Sequence, residues 1–191
     1  HTVSSSLSML EDEKEAITKQ MQHLQKLQKN VEHRLNTIHS AFSLPLDEIH
    51  LMTLPPRHCH RLFEGYKHEE EMDFLMKQLI NLNQNRLYII GSNQMGTMIS
   101  LPSLLKKKTL SYQSVFLIDE EGSDLIDGGD YLCVTYRGNY EQSAYWGQQL
   151  AQYAHAHKFK IRGDLLEILW IDIHTTSDES EYITQLQLPI A

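Results

Sequence analysis

The sequence predicts an α+β protein. A long N-terminal coiled-coil helix occupies residues 1–44, and a domain over 45–191 runs twice through a strand, a helix and two strands. The stretch from Leu10 to Phe42 contains neither Gly nor Pro, and its apolar residues recur at heptad spacing. Two later stretches, starting near Arg57 and Tyr131, show the same order of strand and helix signals, which implies an approximate internal two-fold.

The first segment is rich in Ala, Leu, Glu, Lys and Gln, all good helix formers. Leu10, Ile17, Leu24, Val31 and Ile38 are seven residues apart, and Met21, Leu35 and Phe42 follow three of them by four. That is the a/d seam of a coiled coil, with Lys14 and Gln28 in the remaining seam positions. So narrow a stripe cannot be buried by the helix itself and calls for another helix. The expectation is a homodimer through this helix, with Lys14 and Gln28 limiting its register; the alternative is a helix folded back on the domain. Pro45 closes the segment, because the residue before a proline is pushed out of helical geometry.

In the first pass of the doubled unit, Arg57 to Phe63 reads as a strand and Glu69 to Leu82 as an amphipathic helix through Met72, Leu75, Met76, Leu79 and Ile80. Leu87 to Leu101 reads as the next strand, and a hairpin leads to Tyr112–Ile118. The second pass gives a strand at Tyr131–Tyr136, a helix from about Gln142 to His157, then strands from Arg162 to His174 and Glu181 to Ile190. Cys59 and Cys133 fall at matching points, as do Gly91 and Gly163, and Asp127-Gly-Gly-Asp between the passes is a turn signal. A cleft between the halves is the expected place for a ligand.

The most informative strand is Gly163 to His174. Leucine and isoleucine occupy both parities, so both faces are expected to be covered, and Glu167 sits in the middle. A carboxylate removed from water must find a donor, take up a proton or meet a cation. An edge position, or a pairing with Arg or Lys, would make Glu167 structural instead. Strand parity sets Trp170 on the opposite face, as core.

Composition sets the outer bounds. The chain has 191 residues, 41% hydrophobic and 22% charged, with a formal net charge of -8. An acidic balance argues against this chain gripping nucleic acid alone, and the short basic cluster Lys106-Lys107-Lys108 reads as a solvated loop. No apolar run approaches the roughly 20 residues of a membrane span, and nothing at the start reads as a signal peptide. These features imply a cytoplasmic protein with two reduced thiols rather than a disulfide framework. His58 and His60 share a strand face, but no third ligand stands at a recognisable spacing, and His155 and His157 point different ways on a helix. No metal, cofactor, nucleophile elbow, P-loop or dinucleotide fingerprint is expected.

Asp130-Tyr-Leu-Cys-Val-Thr-Tyr-Arg-Gly-Asn-Tyr, the helix after it, Gly163-Asp-Leu-Leu-Glu-Ile and Glu181-Tyr-Ile-Thr-Gln-Leu-Gln-Leu-Pro-Ile together resemble the GyrI-like effector-binding domain. With the heptad helix in front, the chain resembles the dimerisation and effector portion of a MerR-type transcriptional regulator, and the winged-helix DNA-binding domain is not in this sequence. The resemblance implies an antiparallel coiled-coil dimer that contacts DNA only through that missing domain. It also implies a pocket for lipophilic, often cationic, small molecules. It places the ligand-facing glutamate on Glu167 and pocket aromatics on Tyr182, Tyr112 and Phe74, with Tyr145 and Trp146 near the position where Ser143 replaces a family tyrosine. Some GyrI-like proteins are hydrolases and others block a protein partner. For this chain the heptad helix favours sensing over both, and no catalytic residue is assigned.

Overall fold

The computed structural model describes residues 2–66, 69–82, 94–106 and 110–191. The long helix α1 spans Val3–Ala41, begins on a capping box between Thr2 and Ser5, and buries only Thr37 and Ala41. It therefore does not fold back along the domain. Leu10, Ile17, Met21, Leu24, Val31, Leu35 and Phe42 stay exposed in the single chain. Ile38 differs, packing with Trp170 against Ala41, Ile171 and Ile183 where the helix end meets the sheet.

Strands β1 (His50–Leu54) and β2 (Arg57–Leu62) are followed by α2 (Glu69–Leu82), β3 (Met95–Ile99), α3 (Leu101–Leu105) and β4 (Tyr112–Ile118). The second half holds β5 (Asp124–Ile126), β6 (Gly129–Arg137), α4 (Gln142–Ala156), β7 (Leu165–Ile171) and β8 (Ile183–Pro189). All eight strands form one sheet in the order β1-β6-β8-β7-β3-β4-β2-β5, so β6-β8-β7 and β3-β4-β2 are mirrored about the antiparallel β7–β3 pair. The expected two-fold is thus built into a single sheet.

Several sequence expectations are corrected. The hairpin after β3 is a helix, α3, capped by Ser100 and started by Pro102, a proline position that suits a first helical turn. Strand β3 ends at Ile99 rather than Leu101, β7 is shorter than Arg162–His174, and β8 begins after a 3-10 turn at Glu179–Glu181. Residues 87–93, including Gly91, lie outside the described residues, as do Lys107 and Lys108.

Strands β1 and β5 carry no strong strand signal of their own. Pro55-Pro56 separates β1 from β2 and Asp127-Gly128 separates β5 from β6, so the two strand pairs run alongside each other, β1 on β6 and β2 on β5. Their junctions touch: a Cβ on Gly128 would come within 2.7 Å of the Pro56 nitrogen, so only glycine fits there. Tying both sheet ends together curls the sheet, and Arg57 of β2 reaches across to the Gln187 Oε1 of β8 at 2.8 Å. Helices α2 and α4 cover one face, over Met72, Leu75, Met76 and Leu79 in one half and Leu150 and Ala154 in the other. The inner face is filled by Cys59, Phe116, Tyr131, Cys133, Leu166 and Ile168. Both cysteines are free, buried thiols.

Candidate functional site

Alternation along β7 sends Leu165, Glu167 and Leu169 toward the helices and Leu166 and Ile168 to the inner face. Glu167 is 1% exposed. In register it faces Thr97 of β3 on one side and Leu186 of β8 on the other, so it stands on the line where the two halves join.

Each half contributes a hydroxyl to the carboxylate. Thr97 Oγ1 donates to Glu167 Oε2 at 2.8 Å, from the first half. Ser143 Oγ, in the first turn of α4, donates to Oε1 from the second. A serine has one hydrogen to give, so the 2.6 Å contact between Tyr136 OH and Ser143 Oγ is donated by the tyrosine. The result is a directed chain, Tyr136 to Ser143 to Glu167, with Tyr136, Ser143 and Thr97 all fully buried. Neither hydroxyl partner supplies a charge.

Aromatic faces lie close by. Tyr140 and Tyr182 stack with centroids 5.3 Å apart. Burial, reinforced by the Asp172 and Glu167 carboxylates, pushes the Tyr140 phenol well above its ordinary pKa, so it stays protonated. Its hydroxyl and that of Thr184 are buried with no hydrogen-bond partner among the described residues. Tyr112 is half-buried and stacks on Tyr66 at 4.4 Å, beside the cluster that contains Tyr140 and Tyr182.

Other expected pocket residues are elsewhere. Phe74 is 67% exposed and lines an open groove of about 360 Å3 with Tyr66, Glu64 and Glu71. Tyr145 is exposed on α4 and meets Trp146 edge-on at 5.1 Å, while Trp146 packs half-buried on the second-half core. Tyr145, two residues after Ser143, lies on another side of the helix, whereas Trp146, three after it, packs on the cluster that contains Tyr136 and Leu165. Trp170 is half-buried among inner-face residues, as its parity requires. Thr97, Tyr136 and Tyr140 were not singled out by the sequence; the alternation of β6 could have found Tyr136, which shares a face with Leu132 and Val134.

The described residues contain no group of three or more His, Cys, Asp or Glu placed to hold a metal ion. None of their helices is long and apolar enough to cross a membrane.

A single curled sheet with a two-fold at its centre, two covering helices and a long leading helix defines the class: a GyrI-like effector-domain fold. No family model and no curated protein matches the sequence. Among solved structures, the chain is similar to the C-terminal domain of EcmrR, with TM-score 0.57 and 14% identity over 75% of this chain and 97% of that one. It is also similar to EcmrR in a cryo-EM complex with DNA, with TM-score 0.58 and 14% identity, covering 100% of this chain and 77% of the other. The second match takes in the long helix as well as the sheet.

Proposed function

We propose that this chain is the ligand-sensing and dimerisation portion of a MerR-type transcriptional regulator. A lipophilic cation binds between the two halves against Glu167, Tyr182, Tyr140 and Tyr112, and the long helix carries the change to a DNA-binding domain. The observation that supports this reading most is Glu167 itself: a fully buried carboxylate held by one hydroxyl from each half. A ligand that engages it acts on both halves at once.

The physics is that of a cation receptor. A cation brought against a carboxylate in so buried a place gains Coulomb energy little diluted by water. Each tyrosine face adds about 0.5–2 kcal/mol of cation–π attraction. The hydroxyls of Tyr140 and Thr184 are further donors or acceptors for the bound molecule. The groove with Phe74, Glu64 and Glu71 suits the mouth of such a site, because it offers an aromatic face and two acidic residues beside Tyr66.

Relay to the long helix is supported by where α1 docks. Arg34 donates to the Trp170 carbonyl at 3.5 Å and stands 3.9 Å from Asp172, both on or beside the strand that carries Glu167. A ligand shifts such a system only by its differential affinity for the two arrangements. The exposed seam of α1 supplies the surface for a second copy, and the EcmrR likeness over the whole chain belongs to a DNA complex.

The test is a titration of tetraphenylphosphonium and neutral triphenylphosphine oxide into wild type and Glu167→Gln, read by Trp fluorescence. Cation preference in wild type and at least a tenfold loss in the variant are expected; equal affinity of the variant for the cation sinks the reading. A hydrolytic use of the pocket draws on the Tyr136–Ser143–Glu167 chain, which could pass a proton. Mass spectrometry of ester-bearing compounds after incubation separates it from sensing.

A further inference from the structure

Behind β7, on the inner face, a second cavity of about 160 Å3 plays no part in the reading above. Met98, Leu166 and Pro189 give it apolar wall, while Arg61, Arg162 and Tyr131 give it a cationic and aromatic side. Arg57 lies over the same Tyr131 ring, 5.9 Å from its centre. Burial raises the Tyr131 phenol pKa, and the positive charges of Arg57 and Arg162 oppose that rise, which places both guanidiniums near it.

These arginines are poorly satisfied. Arg57 gives one N–H to Gln187 Oε1 at 2.8 Å, Arg162 gives its Nε–H to the Ile190 carbonyl at 2.5 Å, and Arg61 reaches the Cys59 sulfur, 4.0 Å away, and stands over the Phe63 ring at 5.3 Å. The Nε atoms of Arg57 and Arg61 are buried with no acceptor among the described residues. Asp127 and Asp164 also line the cavity, and Asp164 already accepts the Leu101 N–H at 2.8 Å. Among the described residues no ion pair joins any of these three guanidiniums to a carboxylate. Two guanidiniums and two carboxylates line the cavity, and a third guanidinium, that of Arg57, stands just behind the Tyr131 ring.

We propose that this inner-face cavity is a second binding site, selective for a small monocarboxylate with an apolar body. A planar carboxylate matches the guanidinium donor fork, which a neutral amide or a spherical anion does not. The buried Nε of Arg61 suits one carboxylate, and the apolar wall suits a hydrocarbon body attached to it. The cavity is smaller than the roughly 300–1,000 Å3 typical of drug-sized sites, so the ligand is metabolite-sized. The site lies on the other face of the sheet from Glu167 and offers guanidinium donors, and neither proposal depends on the other.

Benzoate is the probe, titrated into the whole chain with benzamide and inorganic phosphate as comparisons. Benzoate is expected to bind at least tenfold more tightly than either, and Arg61→Met to weaken it at least tenfold. In wild type, the Nε–Hε proton resonances of Arg57 and Arg61 are expected to shift as benzoate is added, a readout that needs no variant to fold. Equal binding of benzoate and benzamide, a preference for phosphate, or arginine resonances that do not move would overturn the proposal.

Discussion

Leu166 and Glu167 are adjacent on β7, yet they end on faces of the sheet that bury opposite charges. Toward the helices the sheet holds one carboxylate, sealed from water and bonded to hydroxyls from both halves. Toward the inside it holds guanidiniums among thiols and aromatic rings, with Arg57 displaced below its ordinary pKa chiefly by burial. The strand itself is neutral between these uses. What differs is the closure: helices seal the first face, whereas the second is closed only by the curl of the sheet, and long arginine side chains can reach its rim with their stems in the core.

The largest effect is expected at the backbone between the two faces. Gly96 of β3 packs where an added Cβ would lie 2.5 Å from the Phe116 ring and 2.6 Å from the Glu167 carbonyl. The ring could yield, but the carbonyl belongs to the β7 ladder and cannot. Gly96→Val should destabilise the domain by about 3 kcal/mol or more, the upper end for overpacking, as measured by urea denaturation. A loss below about 1 kcal/mol would mean that the faces can slide apart, and that the junction is softer than its hydrogen bonds suggest.

Next in size is the contrast between charge and packing at Glu167. Glu167→Gln keeps the acceptor for one hydroxyl and removes the charge, so stability should change by about 1 kcal/mol or less. Glu167→Leu takes the buried acceptor from Thr97 and from Ser143, which keeps its bond to Tyr136, at a cost of about 1–3 kcal/mol in all. Thermal melts of the two variants decide the matter. If the leucine variant is the more stable, the carboxylate is retained for binding and not for the fold, as buried charges often are.

The sequence made much of this legible, and the reasons are physical. The apolar run around Glu167 and the heptad of α1 are patterns of many residues, and the residues described over Glu69–Leu82 are helical as their apolar spacing requires. The hydroxyls that hold Glu167 were hidden because Thr97, Ser143 and Tyr136 are single polar residues of common type, brought together only by register and by a helix start. Strands β1 and β5 were hidden because each gains its partner through the curl of the sheet. The inner-face arginines were visible on a strand, but strand parity cannot say that both ends of a sheet meet.

The inner face also gives a pH-dependent effect, confined to alkaline solution. Burial pushes the Cys133 thiol up to about 12 from an ordinary 9.0, and raises that of Cys59 as well. A thiol whose folded pKa is raised contributes stability that is complete below the unfolded value and is lost as pH rises toward the folded one. Stability should therefore fall by about 1.4 kcal/mol per pH unit for this group between pH 9 and about 12. Urea midpoints across that range should fall less steeply in Cys133→Ala. In native buffer at neutral pH, both thiols should resist alkylation while reacting fully in denaturant.

The smallest expected effect on stability lies at the seam between α1 and the sheet, the contact on which the proposed relay depends. Arg34 and Asp172 approach to 3.9 Å, with side chains 17% and 4% exposed. The pair is long for a charge-assisted bond, and Asp172 is also held by the His174 N–H at 3.1 Å and the Thr175 hydroxyl at 3.2 Å. A double-mutant cycle with Arg34→Met and Asp172→Asn should give a coupling of about 0.5–1 kcal/mol, as for a partly exposed pair. The same residues bear on the pocket, because the Asp172 and Glu167 carboxylates both act on the Tyr140 phenol. If β7 transmits occupancy of the Glu167 site, Arg34→Met should leave tetraphenylphosphonium affinity nearly intact yet remove the ligand-induced change in distance between spin labels on the two α1 helices of a dimer. A label distance that responds to ligand equally with and without Arg34 would separate the pocket from this latch and move the relay to the apolar contact of Ile38 with Ile171 and Ile183.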